Sequence, residues 1–141
     1  YYFGDDFYSS IKNDLKDNAK IFYAELNEKI IACSIIIFAN GKVNYHLSGS
    51  LREFQSLAPS NLMLWKVAQW GNENGFKTFH LGGGVGCKDD SLFKFKRAFY
   101  KGDLCKYRIG KKIFNKEAYD LLVAKSNKQD DLTGFFPLYR R

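Results

Sequence analysis

Residues 20–50 read KIFYAELNEKIIACSIIIFANGKVNYHLSGS, and the period of this stretch decides the fold class. Three runs rich in Ile, Phe and Tyr, at 20–26, 29–38 and 43–50, are separated by Asn27-Glu28 and Asn40-Gly41. Asn-Gly is a strong hairpin signal because both residues tolerate the positive φ of a type I′ turn. The pattern predicts an antiparallel three-stranded meander. Residues 30–38 are almost wholly apolar, which predicts a strand covered on both faces. Strand alternation over 43–50 puts Tyr45, Leu47 and Gly49 on one face and His46, Ser48 and Ser50 on the other.

Upstream, Ile11 and Leu15 recur at helical spacing within residues 8–18, an amphipathic helix. Downstream, Leu57-Ala58-Pro59-Ser60-Asn61 breaks the chain, with Ser60 suited to cap a helix over 61–74. That helix carries Met63, Val67 and Trp70 on one stripe, with Leu64 and Ala68 beside it. Asn74-Gly75 supplies a left-handed stop, and Phe76 packs back on the last turn. Residues 76–81 are short, apolar and β-prone, so strand, helix and strand form a crossover unit. A helix over 92–101 follows Asp89-Asp90-Ser91, with Leu92, Phe95 and Phe99 turned to the core. Residues 104–114 read as a last strand or hairpin, 117–125 as a final helix, and 132–141 as an irregular aromatic tail. The order predicts a mixed α/β domain, one sheet with helices on both faces. With no repeat and no linker, residues 1–141 read as one domain.

The 141 residues suffice for one core, and 45% hydrophobic content excludes a disordered chain. Lysine and arginine outnumber acids by 22 to 15, a net charge of +7, which favours a polyanionic partner. Cys33, Cys87 and Cys105 are odd in number and unpaired in spacing, which predicts reduced thiols and a cytoplasmic setting. The apolar run at 30–38 is too short to span a bilayer. A first residue of Tyr1 reads as the start of a fragment of a longer protein.

Gly82-Gly83-Gly84-Val85-Gly86 resembles neither nucleotide motif. A P-loop needs lysine and a hydroxyl directly after its last glycine, and Gly86 is followed by Cys87-Lys88-Asp89. A dinucleotide fingerprint lacks its third glycine, because that position is Asp89. Three glycines between a strand and a helix still let backbone approach a ligand, with N–H groups turned to an anion or carbonyl oxygen. A tight connection with positive φ angles is the plainer alternative. On the following helix Lys94, Arg97 and Lys101 form a basic face, with Lys96 alongside, suited to phosphates or simply to solvent. His46, Ser48 and Ser50 line a polar strip on which His46 is the candidate base. Two histidines and three scattered cysteines form no metal-ligand spacing.

Read in order, Tyr45-His46-Leu47-Ser48-Gly49-Ser50, Leu57 to Leu62, Trp70-Gly71 to Gly75-Phe76, Phe79-His80-Leu81-Gly82-Gly83-Gly84 and Phe95-Lys96 resemble the GNAT acyltransferases. The resemblance is strongest to the Fem-type (FemAB-like) branch, which builds the interpeptide bridge of peptidoglycan. It covers about residues 19–114, and Phe135-Phe136-Pro137-Leu138-Tyr139-Arg140 fits it too. It implies the GNAT (acyl-CoA N-acyltransferase-like) fold, with this chain the C-terminal half or a fragment of a longer protein. The activity it implies is transfer of an acyl or aminoacyl group to an amine, with acyl-CoA or aminoacyl-tRNA as co-substrate and no resident cofactor. A peptidoglycan precursor is one such acceptor.

The family's Phe-Lys pair, matched by Phe95-Lys96, together with the residue chemistry above, implies site roles. Lys96 would stabilise developing negative charge or a phosphate, and His46 would take the acceptor's proton. Phe95, Ser48, Ser50, Gly82, Gly83, Gly84, Lys94 and Arg97 would bind the donor. CoA-using GNAT proteins carry a glycine-bearing pyrophosphate loop where this chain has Ser56-Leu57-Ala58-Pro59-Ser60-Asn61. That departure favours the aminoacyl-tRNA donor. A non-catalytic half-domain that binds tRNA or precursor, and a small-molecule acetyl-CoA-dependent N-acetyltransferase, are the alternatives.

Overall fold

The computed structural model describes residues 3–126 and 135–140. The chain resolves into two compact units, Tyr1–Lys101 and Gly102–Arg141. The first unit holds α1 (Asp5–Asp14), β1 (Ala19–Leu26), β2 (Lys29–Ala39), β3 (Lys42–Ser50), α2 (Pro59–Glu73), β4 (Thr78–His80) and α3 (Ser91–Arg97). Its sheet runs β1-β2-β3-β4, antiparallel through the first three strands and parallel between β3 and β4.

Both predicted turns form. Asn40 (φ 49°) and Gly41 (φ 72°) are both left-handed, and so are Asn27 (φ 49°) and Glu28 (φ 63°). The meander follows from these two reversals. A bulge where Ala24 faces Ala32 and Glu25 faces Ile30 leaves Ile31 as an extra residue, and both Ile31 and Ala32 are buried.

α2 covers one face of the sheet. Pro59, Met63, Val67 and Gly71 recur every fourth residue and are buried, with Leu64 beside them. Gly71 faces Val43, whose Cγ2 would lie at ordinary contact distance, 3.5 Å, from a Cβ there. Ile36, Val43 and Val67 form the centre of the core, ringed by Phe22, Phe38, Trp70, Phe76 and Phe79. Ile36 is fully buried, so Ile36→Val should lower unfolding free energy by about 1 kcal/mol, read from denaturant midpoints at constant slope.

Several expectations need correction. β2 is not covered on both faces: Ile30 is 54% exposed, and Cys33 is exposed. Between α1 and the sheet lies a groove of about 460 Å³, lined by residues such as Ile11, Ile21 and Ile35. Helix α2 starts earlier than predicted, with Ala58 at the cap and Pro59 in the first turn instead of a Ser60 cap. Proline suits that turn because its missing N–H has no partner to lose. Ala68 is exposed. The stop at Asn74-Gly75 is as expected: Gly75 has φ 76°, Phe76 N–H donates to Gly71 O at 2.9 Å, and the Phe76 ring rests on Trp70.

In the second unit, the strand expected over 104–114 is absent. β-prone residues hold no strand without a neighbour to pair with. α4 (Lys116–Lys125) is capped by Asn115, whose Oδ1 accepts from Ala118 N–H. Leu138 N–H donates to the Tyr119 hydroxyl, and the Tyr119 ring meets Phe136 and Tyr139. Of the predicted aromatic tail, residues 132–134 and 141 lie outside the described residues.

Candidate active site

β4 pairs with β3 at only three positions, Lys42–Thr78, Val43–Phe79 and Asn44–His80. Past Asn44, β3 runs on to Ser50, while the chain leaves β4 through Leu81 into the glycine run. The two parallel strands therefore part at the β4 edge of the sheet.

A bulge sits at that fork. Ile35 faces Leu47 but Ile36 faces Tyr45, so His46 is the extra residue of β3. The bulge resets the side-chain alternation and overturns the predicted faces. Tyr45 shares a face with Ser48 and Ser50, and its hydroxyl donates to Ser48 Oγ at 2.6 Å. His46 is exposed, and among the described residues no hydrogen bond or ion pair joins it to this group.

Backbone direction follows from the same ladder. Leu51 N–H donates to Ile31 O at 2.8 Å, which makes that pair a hydrogen-bonded one. Antiparallel pairs alternate, so Cys33–Gly49 and Ile35–Leu47 also bond, and Ala32–Ser50 and Ser34–Ser48 do not. The N–H groups of Ser48 and Ser50 thus face the edge that β4 has left. From the β2 side, the buried Ser34 hydroxyl donates to Leu47 O at 2.9 Å and steadies the strand.

Across the fork stand the glycine run and α3. Lys96 Nζ donates to Gly83 O at 2.9 Å and lies 5.8 Å from the centroid of the Tyr45 ring. A Cβ on Gly82 would lie 3.3 Å from Lys96 Nζ, and Gly82 has φ 75°. Partial burial pushes the Lys96 ammonium below the ordinary lysine range, with the Asp90 carboxylate opposing. Burial pushes the Tyr45 phenol up, against the hydrogen bond to Ser48.

Asp90 clasps the loop to the helix. Its Oδ1 accepts from Phe93 N–H at 2.8 Å and its Oδ2 from Val85 N–H at 2.9 Å. The Phe93 bond first and the Val85 bond second hold its carboxyl below the usual carboxylate range.

Of the predicted site residues, Ser48, Gly82, Gly83 and Lys96 come together, with Ser50 on the Ser48 face of β3. Gly84 shapes the loop beside them. Phe95 is half-buried, edge-on to Phe99. Lys94 is exposed, and Arg97 donates to the carbonyls of Tyr100 and Lys101 at the helix end. Leu92 and Phe99 are 38% and 40% exposed, contrary to the expected core stripe, and Phe99 lies beyond the end of α3 at Arg97. Tyr45 is the member that sequence reasoning missed. Nothing local in the sequence marks the bulge that turns it inward.

A fork between two parallel strands, one of them bulged where it pairs with its antiparallel neighbour, is the arrangement of a known enzyme family. Residues 2–101 match the family model for the acetyltransferase (GNAT) domain. The chain belongs to this family. It is a GNAT acyltransferase, and the matched span covers every member of the site just described. AAC(6')-Iy, solved with the bisubstrate analogue CoA-S-monomethyl-acetylneamine, aligns over 76% of this chain and 81% of its own, at 15% identity and TM-score 0.56. A structure of aminoglycoside N-acetyltransferase AAC(6')-Iy with CoA aligns over 75% of this chain and 92% of its own, at 12% identity and TM-score 0.48. At such identities the first alignment speaks for the GNAT fold alone. Among curated proteins no sequence matches. No helix among the described residues is long and apolar enough to cross a membrane.

Proposed function

We propose that this GNAT domain transfers an acyl or aminoacyl group from a polyanionic donor to an amine in the fork between β3 and β4. The observation that carries the reading is the pairing of an open strand edge with a partly desolvated cation, Lys96, across the gap. The donor carbonyl lies against the Ser48 and Ser50 N–H groups. The acceptor nitrogen attacks the carbonyl carbon, and the carbonyl electrons move to an oxygen that those donors hold. Collapse breaks the bond to the leaving thiolate or ribose oxygen, which takes up a proton. The acceptor's surplus proton leaves to water, and reaches the exposed His46 only through it. Lys96 supplies positive charge to the developing oxyanion or to a donor phosphate, and Phe95 packs beside it.

Two donors fit this scheme. Acyl-CoA is supported by the CoA analogue bound by the structural neighbour. Aminoacyl-tRNA, with a cell-wall precursor amine as acceptor, is supported by the β3–α2 connection. There a 3-10 turn over Arg52–Leu57 leads to a left-handed Ala58 and to Pro59, which has no N–H to offer a pyrophosphate. A thermal-shift titration separates them. A donor at about 100 times its Kd should add about 2.7 kcal/mol of stability. Acetyl-CoA is to be compared with charged and uncharged tRNA, and silence with all three would overturn the proposal.

A further inference from the structure

Tyr45 and Ser48 stand three residues apart on β3, a spacing that an unbroken strand puts on opposite faces. The bulge at His46 brings them onto one face, where the Tyr45 hydroxyl donates to Ser48 Oγ at 2.6 Å. Bulges disrupt the ladder and recur where a strand must re-aim a side chain beside an active site. Here the re-aimed ring ends on the hydroxyl of a residue whose own N–H faces the edge that β4 has left.

The two hydroxyls differ in how firmly they are held. The Tyr45 ring packs against Ile36, Val43 and Val67, so core contacts fix its place. Burial pushes its phenol above the ordinary range, against the bond to Ser48, so it stays protonated and able to donate. Ser48 is exposed, and no other hydrogen bond holds its side chain among the described residues. Untethered, such a hydroxyl visits three staggered rotamers and turns to water. The bond from Tyr45 occupies one serine lone pair and leaves the serine proton free for an acceptor. A hydroxyl that receives a bond in this way is polarised, which strengthens the bond it gives. Lys96 Nζ lies 5.8 Å from the centroid of the same ring. One ring therefore neighbours both side-chain groups able to meet negative charge in the fork, the Ser48 hydroxyl and the Lys96 ammonium.

We infer that Ser48 is a catalytic residue whose hydroxyl donates to the oxyanion beside its own N–H, and that Tyr45 is the positioning residue that aims it. The inference rests on the transfer proposed above and adds no proton transfer to it, because Ser48 keeps its proton throughout.

The test is enzyme-dependent thiol release from acetyl-CoA, and amino-acid release from aminoacyl-tRNA, by the whole chain with hydroxylamine as acceptor. Ser48→Ala should cut kcat about 100-fold, the usual effect of losing one oxyanion donor. Ser48→Thr keeps the hydroxyl and should recover most of that rate. Tyr45→Phe keeps the ring, its packing and its place beside Lys96, and should cut kcat about 10-fold. In both deletions the donor KM should hold, because the hydroxyl meets charge that develops only in the transition state. Since Tyr45 acts through Ser48, Tyr45→Phe should cost nothing further in a Ser48→Ala background. A lower melting temperature with unchanged kcat in Tyr45→Phe would make the pair structural and sink the inference. Unchanged kcat in Ser48→Ala, or independent losses in the double variant, would sink it equally. A parent that turns over neither donor defeats the functional reading itself and this inference with it, whereas a working parent with unaffected variants defeats the inference alone.

Discussion

Lys96→Met is expected to cut acyl transfer about 100-fold while leaving the melting temperature where it was. One preorganised donor aimed at developing charge is worth ~3 kcal/mol in the transition state, which is that factor. Stability should be spared because the ammonium makes one exposed hydrogen bond, to Gly83 O, and the core of Ile36, Val43 and Val67 lies elsewhere. Near-normal turnover in Lys96→Met would remove Lys96 from the chemistry.

The pH profile shows which form of Lys96 works. Desolvation lowers its pKa, so its charge is lost as pH rises through a point below the ordinary lysine value. If the cation is the working form, the rate should decline on the alkaline side earlier than an ordinary lysine would allow. Lys96→Arg keeps its charge at any working pH and should erase that decline. Dividing parent by variant rates cancels the acceptor amine's own titration. A ratio that rises through the same range would make the neutral amine a base instead.

Much of this architecture is written in short-range signals. Asn40-Gly41 declares its hairpin, and the stripe of Met63, Val67 and Trp70 declares the helix that covers the sheet. The hairpin and that stripe depend on residues within a turn or two of one another, so a single chain displays them. The site depends on long-range register. Whether Tyr45 points at Ser48 is decided by one extra residue, His46, in the pairing of β3 with β2, and a one-residue change reverses faces. Residues 104–114 show the opposite case, where β-prone composition is legible but no strand pairs with it among the described residues. The glycine run lies between these extremes: its importance is visible in sequence, but the separate duties of its three glycines are not.

Those duties can be separated by experiment, and Gly84→Ala should be the most damaging single methyl in the domain. A Cβ at Gly84 would stand 2.2 Å from Lys88 O and 2.4 Å from Asp90 Oδ1, and the first of these is backbone that cannot swing aside. The loop must therefore open at the clasp where Asp90 holds Val85 and Phe93. Opening forfeits the helix cap, about 1 kcal/mol, and shifts α3 against Gly83. Lys96 rides on α3, and a displacement of about 1 Å at a catalytic group is enough for a 100-fold loss. Gly83→Ala is the control, because nothing lies within 4 Å of a Cβ there and the carbonyl that receives Lys96 is kept. Transfer should stay within about twofold of the parent in that variant, as for a surface substitution. Since Gly84→Ala acts by moving Lys96, the two losses should not add: in a Lys96→Met background, Gly84→Ala should cost far less than it does alone. Full additivity in that cycle would mean the glycine serves the donor directly, through its own backbone, and that Lys96 does not depend on the loop.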